Sequence, residues 1–175
     1  MDGIVIVNTG GGKGKTTAAM GMVLRNLGYN KKICVIGFLK SPEFETGEQL
    51  FLKSNNVEYY CTGAGFTWEK TAQEHREALK DAMKITKEKL SGDYDLVVLD
   101  ELNYVFSIKD FKTDDICTVD EIINLVNNRK KEMTVIITGN DAPEKLISFA
   151  DLVTEMKMIK HPFNNGKEAQ KGIEF

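Results

Sequence analysis

The residues best suited to chemistry stand together near the start of the chain, in TGGGKGKTT (residues 9–17). Gly10, Gly11, Gly12 and Gly14 let a backbone wrap an anion at a distance that a Cβ would prevent, and they accept φ > 0. Lys13 and Lys15 bring two cations to the same place. An apolar run, IVIVN, precedes the glycines and a helix-like pattern follows them. A helix that starts there points its unpaired N–H groups and the positive end of its dipole at whatever the loop encloses, which favours an anion. Compared with the spacing G-x-x-x-x-G-K-[ST], the chain has Thr9 where the first glycine belongs, while Gly14, Lys15 and Thr16 keep the register. The segment from Thr9 to Thr17 therefore reads as a deviant phosphate-binding loop (P-loop). Lys15 is expected to reach the terminal phosphates, and the Thr16 hydroxyl to ligate Mg²⁺.

A second constellation supports the first. In DLVVLDE (residues 95–101) four apolar residues end in Asp100 and Glu101. Carboxylates leaving a buried strand can be a solvated end, but beside a P-loop they supply the acidic partner that holds magnesium or its water. Together the two segments point to a magnesium–nucleotide site.

Three kinds of nucleotide chemistry then compete. A kinase surrounds the transferring phosphoryl group with cations, usually arginines. This chain has three arginines, Arg25, Arg76 and Arg129, and no lid-like cluster of them. A switch or motor ATPase would show a partner-recruiting surface or a longer chain. The third possibility is a loop that holds a phosphate chain as a leaving group. The segment CTGAGFTWEK (residues 61–70) bears on that choice, with the single tryptophan, Trp68, close to Phe66 in a stretch without helix or strand periodicity. Its aromatics either cap the core or wall a large flat ligand.

The elements that must position these residues alternate along the chain. Near-continuous apolar runs at 3–8, 32–38, 95–100 and 134–138 predict parallel strands buried on both faces. Further strands are expected at 151–159 and 57–63. Met20, Val23, Leu24 and Leu27 predict a helix after the loop, stopped by Gly28. Leu79, Ala82, Met83, Thr86 and Leu90 share one face of a helix over 72–90. Thr118 and Glu121 read as a capping box ahead of Val119, Ile122, Ile123 and Val126. A shorter helix after Pro143 carries Leu146, Ile147 and Ala150. With no linker or repeat, the expectation is one α/β domain over residues 1–175. Its fold would be P-loop NTPase-like (RecA-like), three-layered, with a mostly parallel central sheet flanked by helices.

Composition narrows the partners. Hydrophobic content of 42% and charged content of 28% fit a soluble globular protein. The net charge of −3, with scattered lysines, offers no basic patch for nucleic acid or a membrane surface. No apolar run approaches the ~20 residues of a membrane helix. Cys34, Cys61 and Cys117 form no CxxC pair, which argues against a disulfide framework or a thiolate zinc site and for a reducing, cytoplasmic compartment. Cys34, inside ICVIGF, reads as a small core residue.

Seven segments, TGGGKGKTTAA, GFTWE, LVVLDELNY, TGNDAP, ADLVTEM, KHPF and AQKGIEF, occur in an order and spacing that resembles the P-loop ATP:corrinoid adenosyltransferases. The resemblance spans almost the whole chain. It implies transfer of the 5′-deoxyadenosyl group of ATP to Co(I) of cob(I)alamin or cob(I)yrinic acid a,c-diamide, with tripolyphosphate leaving. Gly10 to Thr17 match the loop that cradles the phosphates, and Thr16 and Glu101 match magnesium positions, with Asp100 close by. Arg25 matches a nucleotide-contacting arginine, whereas its place on the helix alone reads as a solvated cation. Phe66 and Trp68 match aromatics that displace the lower axial ligand of a Co(II) corrinoid. Lys15, Phe66 and Trp68 are thus the expected catalytic residues. A homodimer and a flavoprotein electron donor are implied as well. His161, in KHPFNNG, reads as structural, since Pro162 and the residues after Phe163 describe a turn.

Four departures stand out. Gly11 replaces the Asn or Asp common in the family, Gly37 and Ser41 depart from a QF-K-G pattern in which Lys40 remains, and Asn140 replaces an arginine. Many members also begin with a helical segment that helps cover the site, for which this chain leaves no room. The rival readings are an ordinary P-loop NTPase or kinase releasing ADP, and a corrinoid-binding protein without turnover.

Overall fold

The computed structural model describes residues 1–41, 43, 45–65 and 70–175. Six strands build one sheet: β1 (Val5–Thr9), β2 (Ile33–Gly37), β3 (Glu58–Cys61), β4 (Leu96–Asp100), β5 (Thr134–Thr138) and β6 (Leu152–Glu155). Their order is β3-β2-β4-β5-β1-β6, and every pairing is parallel. The continuous apolar runs are explained by burial on both faces, because a strand covered by helices above and below has no solvated side to encode. On one face Ile6, Val35, Val98 and Ile136 pack under Ala19 and Val23 of α1 (Lys15–Leu27) and Leu52 of α2 (Gly47–Ser54). The other face carries Val7, Ile36, Leu99 and Ile137 against α3 (Ala72–Leu90), α4 (Leu102–Val105), α5 (Val119–Asn127) and α6 (Glu144–Phe149). The result is the expected three-layer arrangement.

Particular elements differ from expectation for local reasons. In α1, Leu24 lies 57% exposed, since one residue of a helix turns about 100° and Val23 already faces the sheet. Thr118 caps α5 by accepting from the Glu121 N–H at 3.1 Å, but the Glu121 carboxylate turns to Lys87 at 2.8 Å, so the box is only half made. Complete capping boxes start α2 (Thr46 with Gln49) and α3 (Thr71 with Glu74). The strand expected over 151–159 is paired only at Leu152–Glu155 and is exposed throughout. It ends at Met156, whose N–H makes the last bond to β1, at the Thr9 carbonyl (2.8 Å), while its own carbonyl turns to the phosphate loop and accepts from the Gly12 N–H. Two short helices, α2 and α4, have no counterpart in the apolar periodicity. Cys34 is fully buried, as its neighbours predict, and all three cysteines are free thiols. No helix among the described residues is long and apolar enough to cross a membrane.

Candidate active site

Parallel strands gather their carboxyl ends on one edge, and in such sheets the ligand site lies beyond that edge. Here β1 ends in Thr9, β4 in Asp100 and β5 in Thr138. The loop after β1 leads into α1, whose N-cap is Gly14 at φ +109. No side chain caps this helix and no acidic residue stands in its first turn. Its leading N–H groups and dipole are therefore left to an external anion. The N-terminus of α2 borders the same cavity, but Thr46 caps it and Glu48 counters its dipole. The two helix ends are electrostatically different.

The loop is braced from a distance. Gly12 donates its N–H to the Met156 carbonyl at 2.6 Å. At Gly10, with φ +94, a Cβ would stand 2.6 Å from that same carbonyl oxygen, whereas one at Gly11 would meet nothing within 4 Å. Gly10→Ala is therefore expected to cost about 1–3 kcal/mol, and Gly11→Ala under about 0.5 kcal/mol. Urea unfolding of the pair checks this, and equal losses would contradict the loop geometry.

Lys15 is buried, its Nζ donating to the carbonyls of Gly10 at 2.8 Å and Gly12 at 2.7 Å. Burial holds its pKa below the ordinary lysine value, against the opposing pull of Glu101 and Asp100. A cation already partly stripped of water and set in the loop's concave face gains most from a multiply charged anion.

Asp100 has no solvent exposure. Its Oδ1 accepts from the Thr16 hydroxyl at 2.9 Å and the Thr138 hydroxyl at 2.6 Å, and its Oδ2 is 2.6 Å from Lys40 Nζ. Burial acts to lower the Lys40 pKa, but the Asp100 carboxylate outweighs it, and the ammonium is held above its usual range. Glu101 begins α4 in the left-handed region, φ 62, with its N–H donating to Thr138 Oγ1 at 2.9 Å. That turn leaves its side chain on the cavity, while burial, followed by the neighbouring Asp100, raises its pKa. The two carboxylates thus divide the work, Asp100 orienting Thr16 from behind and Glu101 facing the cavity.

The cavity has a volume of about 980 Å³, and the loop from Gly11 to Thr17 lines it together with Lys40 and Glu101. Two expected contacts lie elsewhere. The Thr9 side chain is buried, its hydroxyl accepting from the Ala142 N–H at 3.0 Å. Arg25 sits exposed in the last turn of α1, ten residues and about 15 Å along the axis from Lys15. Lys13 pairs with Glu174. Phe66 and Trp68 lie outside the described residues, although Gly65, just before them, lines the cavity. Sequence reasoning missed Thr138 and gave Lys40 no task. The signal for Thr138 was a polar residue closing the buried run TVIIT. At Gly37 a Cβ would come within 3.0 Å of Tyr59 Oη and 3.3 Å of Lys40 Cδ, so the glycine makes room for the Lys40 stem.

A glycine loop with its lysine, an uncapped helix, and an aspartate-ended strand in a parallel sheet define a P-loop nucleotide-binding protein. The profile of the ATP:corrinoid adenosyltransferase BtuR/CobO/CobP family matches residues 1–175. The corrinoid adenosyltransferase of Escherichia coli K12 is 37% identical over 175 residues, covering 99% of this chain and 86% of that protein. Corrinoid adenosyltransferase CobA of Salmonella typhimurium is 38% identical, with the same 99% and 86% coverage. A corrinoid adenosyltransferase from Sinorhizobium is 38% identical over 179 residues, covering 99% of this chain and 80% of that protein. The chain belongs to the ATP:corrinoid adenosyltransferase family.

Proposed function

We propose that this protein transfers the 5′-deoxyadenosyl group of ATP to Co(I) of a corrinoid. The reading is carried by the loop, Lys15 and the Thr16–Asp100 pair converging on one cavity in a chain of this family. The cobalt lone pair of the reduced corrinoid attacks C5′, a Co–C bond forms, and the C5′–O bond breaks. Its electron pair leaves with tripolyphosphate, and cobalt passes formally from Co(I) to Co(III). The attacker carries no proton, so no side chain need act as a base. The protein's contribution is to align C5′ and to receive charge on the leaving group. Lys15 would exchange the Gly10 and Gly12 carbonyls for phosphate oxygens, and the N–H groups at the start of α1 would hold the rest of the chain of phosphates.

Among the described residues no three His, Cys, Asp or Glu side chains cluster as a metal cage. The Thr16 hydroxyl and the Glu101 carboxylate, both on the cavity of the phosphate loop, suit Mg²⁺, which takes few protein oxygens and completes its shell with phosphates and water. Thr16 and Glu101 would hold it, with Asp100 fixing the Thr16 hydroxyl. Bound there, the ion would neutralise charge on the tripolyphosphate.

The reading includes a single domain over residues 1–175, supported by one continuous sheet. It also includes a homodimer, a flavoprotein reductant and a cytoplasmic location, the last supported by three free thiols. Protein mixed with Mg-ATP and chemically reduced cob(I)alamin should yield a light-sensitive alkylcobalamin and tripolyphosphate. ADP and phosphate without alkylcobalamin would mean an ordinary NTPase, and bound cob(II)alamin without triphosphate a carrier that does not turn over.

Trp68 and Phe66 belong to this reading as the groups that strip the lower ligand from Co(II), easing its reduction. Trp68→Ala should lower turnover about 10-fold or more when Co(II) is reduced on the protein, a barrier change of ~1.4 kcal/mol or above. With pre-reduced Co(I) it should stay within about threefold. Equal losses in the two assays would remove that role.

A further inference from the structure

Resting on the adenosyl-transfer reading, we propose that Phe163 and Ile173, with Met158, form an apolar wall that the corrinoid covers when it binds. All three side chains line the cavity of the phosphate loop, and yet they are 75%, 75% and 52% exposed. Large apolar groups left wet on the rim of a ligand cavity mark surface that a partner removes from water.

The segment carrying them is fastened to the loop at both ends. Gly12 bonds Met156 at one end, and Lys13 pairs with Glu174 at the other. Consecutive loop residues thereby hold chain separated by 18 positions, from 156 to 174, and the stretch between them stands beside the phosphate cradle. Within it, Pro162–Asn165 forms a single 3₁₀ turn. His161 Nδ1 accepts from the Phe163 N–H at 3.2 Å, and the Phe163 carbonyl accepts from the Gly166 N–H at 2.9 Å. Proline at the first position and bonds on both sides of Phe163 fix the backbone that presents its ring. An aromatic ring displayed on a stiffened turn is a preorganised contact surface.

Two substrates meet in this cavity. A phosphate chain is served by the loop, which is polar and cationic. A corrin ring is broad, with methyl-bearing faces, and needs an extended apolar surface next to C5′. At about 980 Å³ the cavity lies near the upper end of the ~300–1,000 Å³ usual for small-molecule sites, so it has space beyond a nucleotide. Gly65, leading into Phe66 and Trp68, borders the same space. The rival cover for the wall is the adenine ring, and the two predict opposite outcomes.

The test measures equilibrium binding of cob(II)alamin in the presence of Mg-ATP, and of Mg-ATP alone, to the full chain and to a Phe163→Ala/Ile173→Ala variant. The cob(II)alamin Kd should rise 10-fold or more while the Mg-ATP Kd moves less than twofold. Phe163→Leu with Ile173 intact should bring cob(II)alamin binding back to within about threefold of the unaltered protein. Because both side chains are exposed, the unfolding midpoint in urea should not change. A weakened Mg-ATP Kd with unchanged cob(II)alamin binding would assign the wall to the nucleotide and overturn the proposal, as would no change in either. Unaltered protein that binds cob(II)alamin through this wall but releases no tripolyphosphate would sink the adenosyl-transfer reading alone. Full turnover with indifference to the double substitution would sink the wall alone.

Discussion

Lys15→Ala should abolish adenosyl transfer even when the corrinoid is supplied as Co(I). The lysine sits within the loop, already desolvated and bonded to the Gly10 and Gly12 carbonyls. Its ammonium is thus in place before charge builds on the departing oxygen, and little reorganisation is needed during reaction. Loss of one such preorganised donor costs about 10²–10³ in turnover, and a tripolyphosphate leaving group places the chain at the upper end. Single-turnover kinetics with pre-reduced cob(I)alamin and saturating Mg-ATP measure the loss directly. A variant retaining more than about a tenth of the rate would show that charge on the leaving group is met elsewhere, with Lys13 the first candidate.

The second large effect concerns Asp100. Asp100→Leu removes the acceptor of two hydroxyls and the counter-ion of Lys40 at one stroke. An ammonium held mostly out of water would lose its partner, and breaking a buried pair from one side costs about 3–5 kcal/mol. For a chain of this size that is a fall of roughly 6–20 °C in melting temperature. The paired substitution Asp100→Leu/Lys40→Met should recover most of the lost stability, because replacing both charges by apolar groups is often neutral. It should not recover turnover, since the Thr16 hydroxyl would still lack the carboxylate that aims it. Thermal melts of the two single variants and the double variant test the coupling. Strict additivity of the single losses would show that the pair does not act as a unit.

The sequence reads clearly where burial is total. The strands at β1, β2, β4 and β5 are recognisable because both faces are covered and apolar residues run without interruption. β6 is exposed on the sheet edge, so its apolar run overstated its length, and beyond it Met156 braces the loop and Met158 lines the cavity. α2 escaped because only Leu52 of its eight residues is buried. Its start was nevertheless written in Thr46 and Gln49, a capping box as legible as the one at Thr118. α4 is four residues long, too short for any period to register. At the site, the local anion nest was readable from glycine spacing and the Lys15–Thr16 register. The Asp100 cluster was readable only in part. Lys40 joins it from the chain just after β2 and Thr138 from the end of β5, strands that neighbour β4 in space alone, and hydroxyl–carboxylate geometry leaves no periodic trace in a sequence. Thr9 illustrates the converse, a residue inside the motif whose side chain serves the Ala142 turn.

The bond from Gly12 to Met156 ties the first loop of the chain to its last strand, and β1 itself lies between β5 and β6. Synthesis therefore lays down the nucleotide-gripping turn more than a hundred residues before the segment that braces it. A nascent polypeptide stalled short of residue 156 would lack this brace and both neighbours of its opening strand. ATP should accordingly bind only once translation has passed residue 156, which makes occupancy of the site a signal that the sheet around β1 has closed.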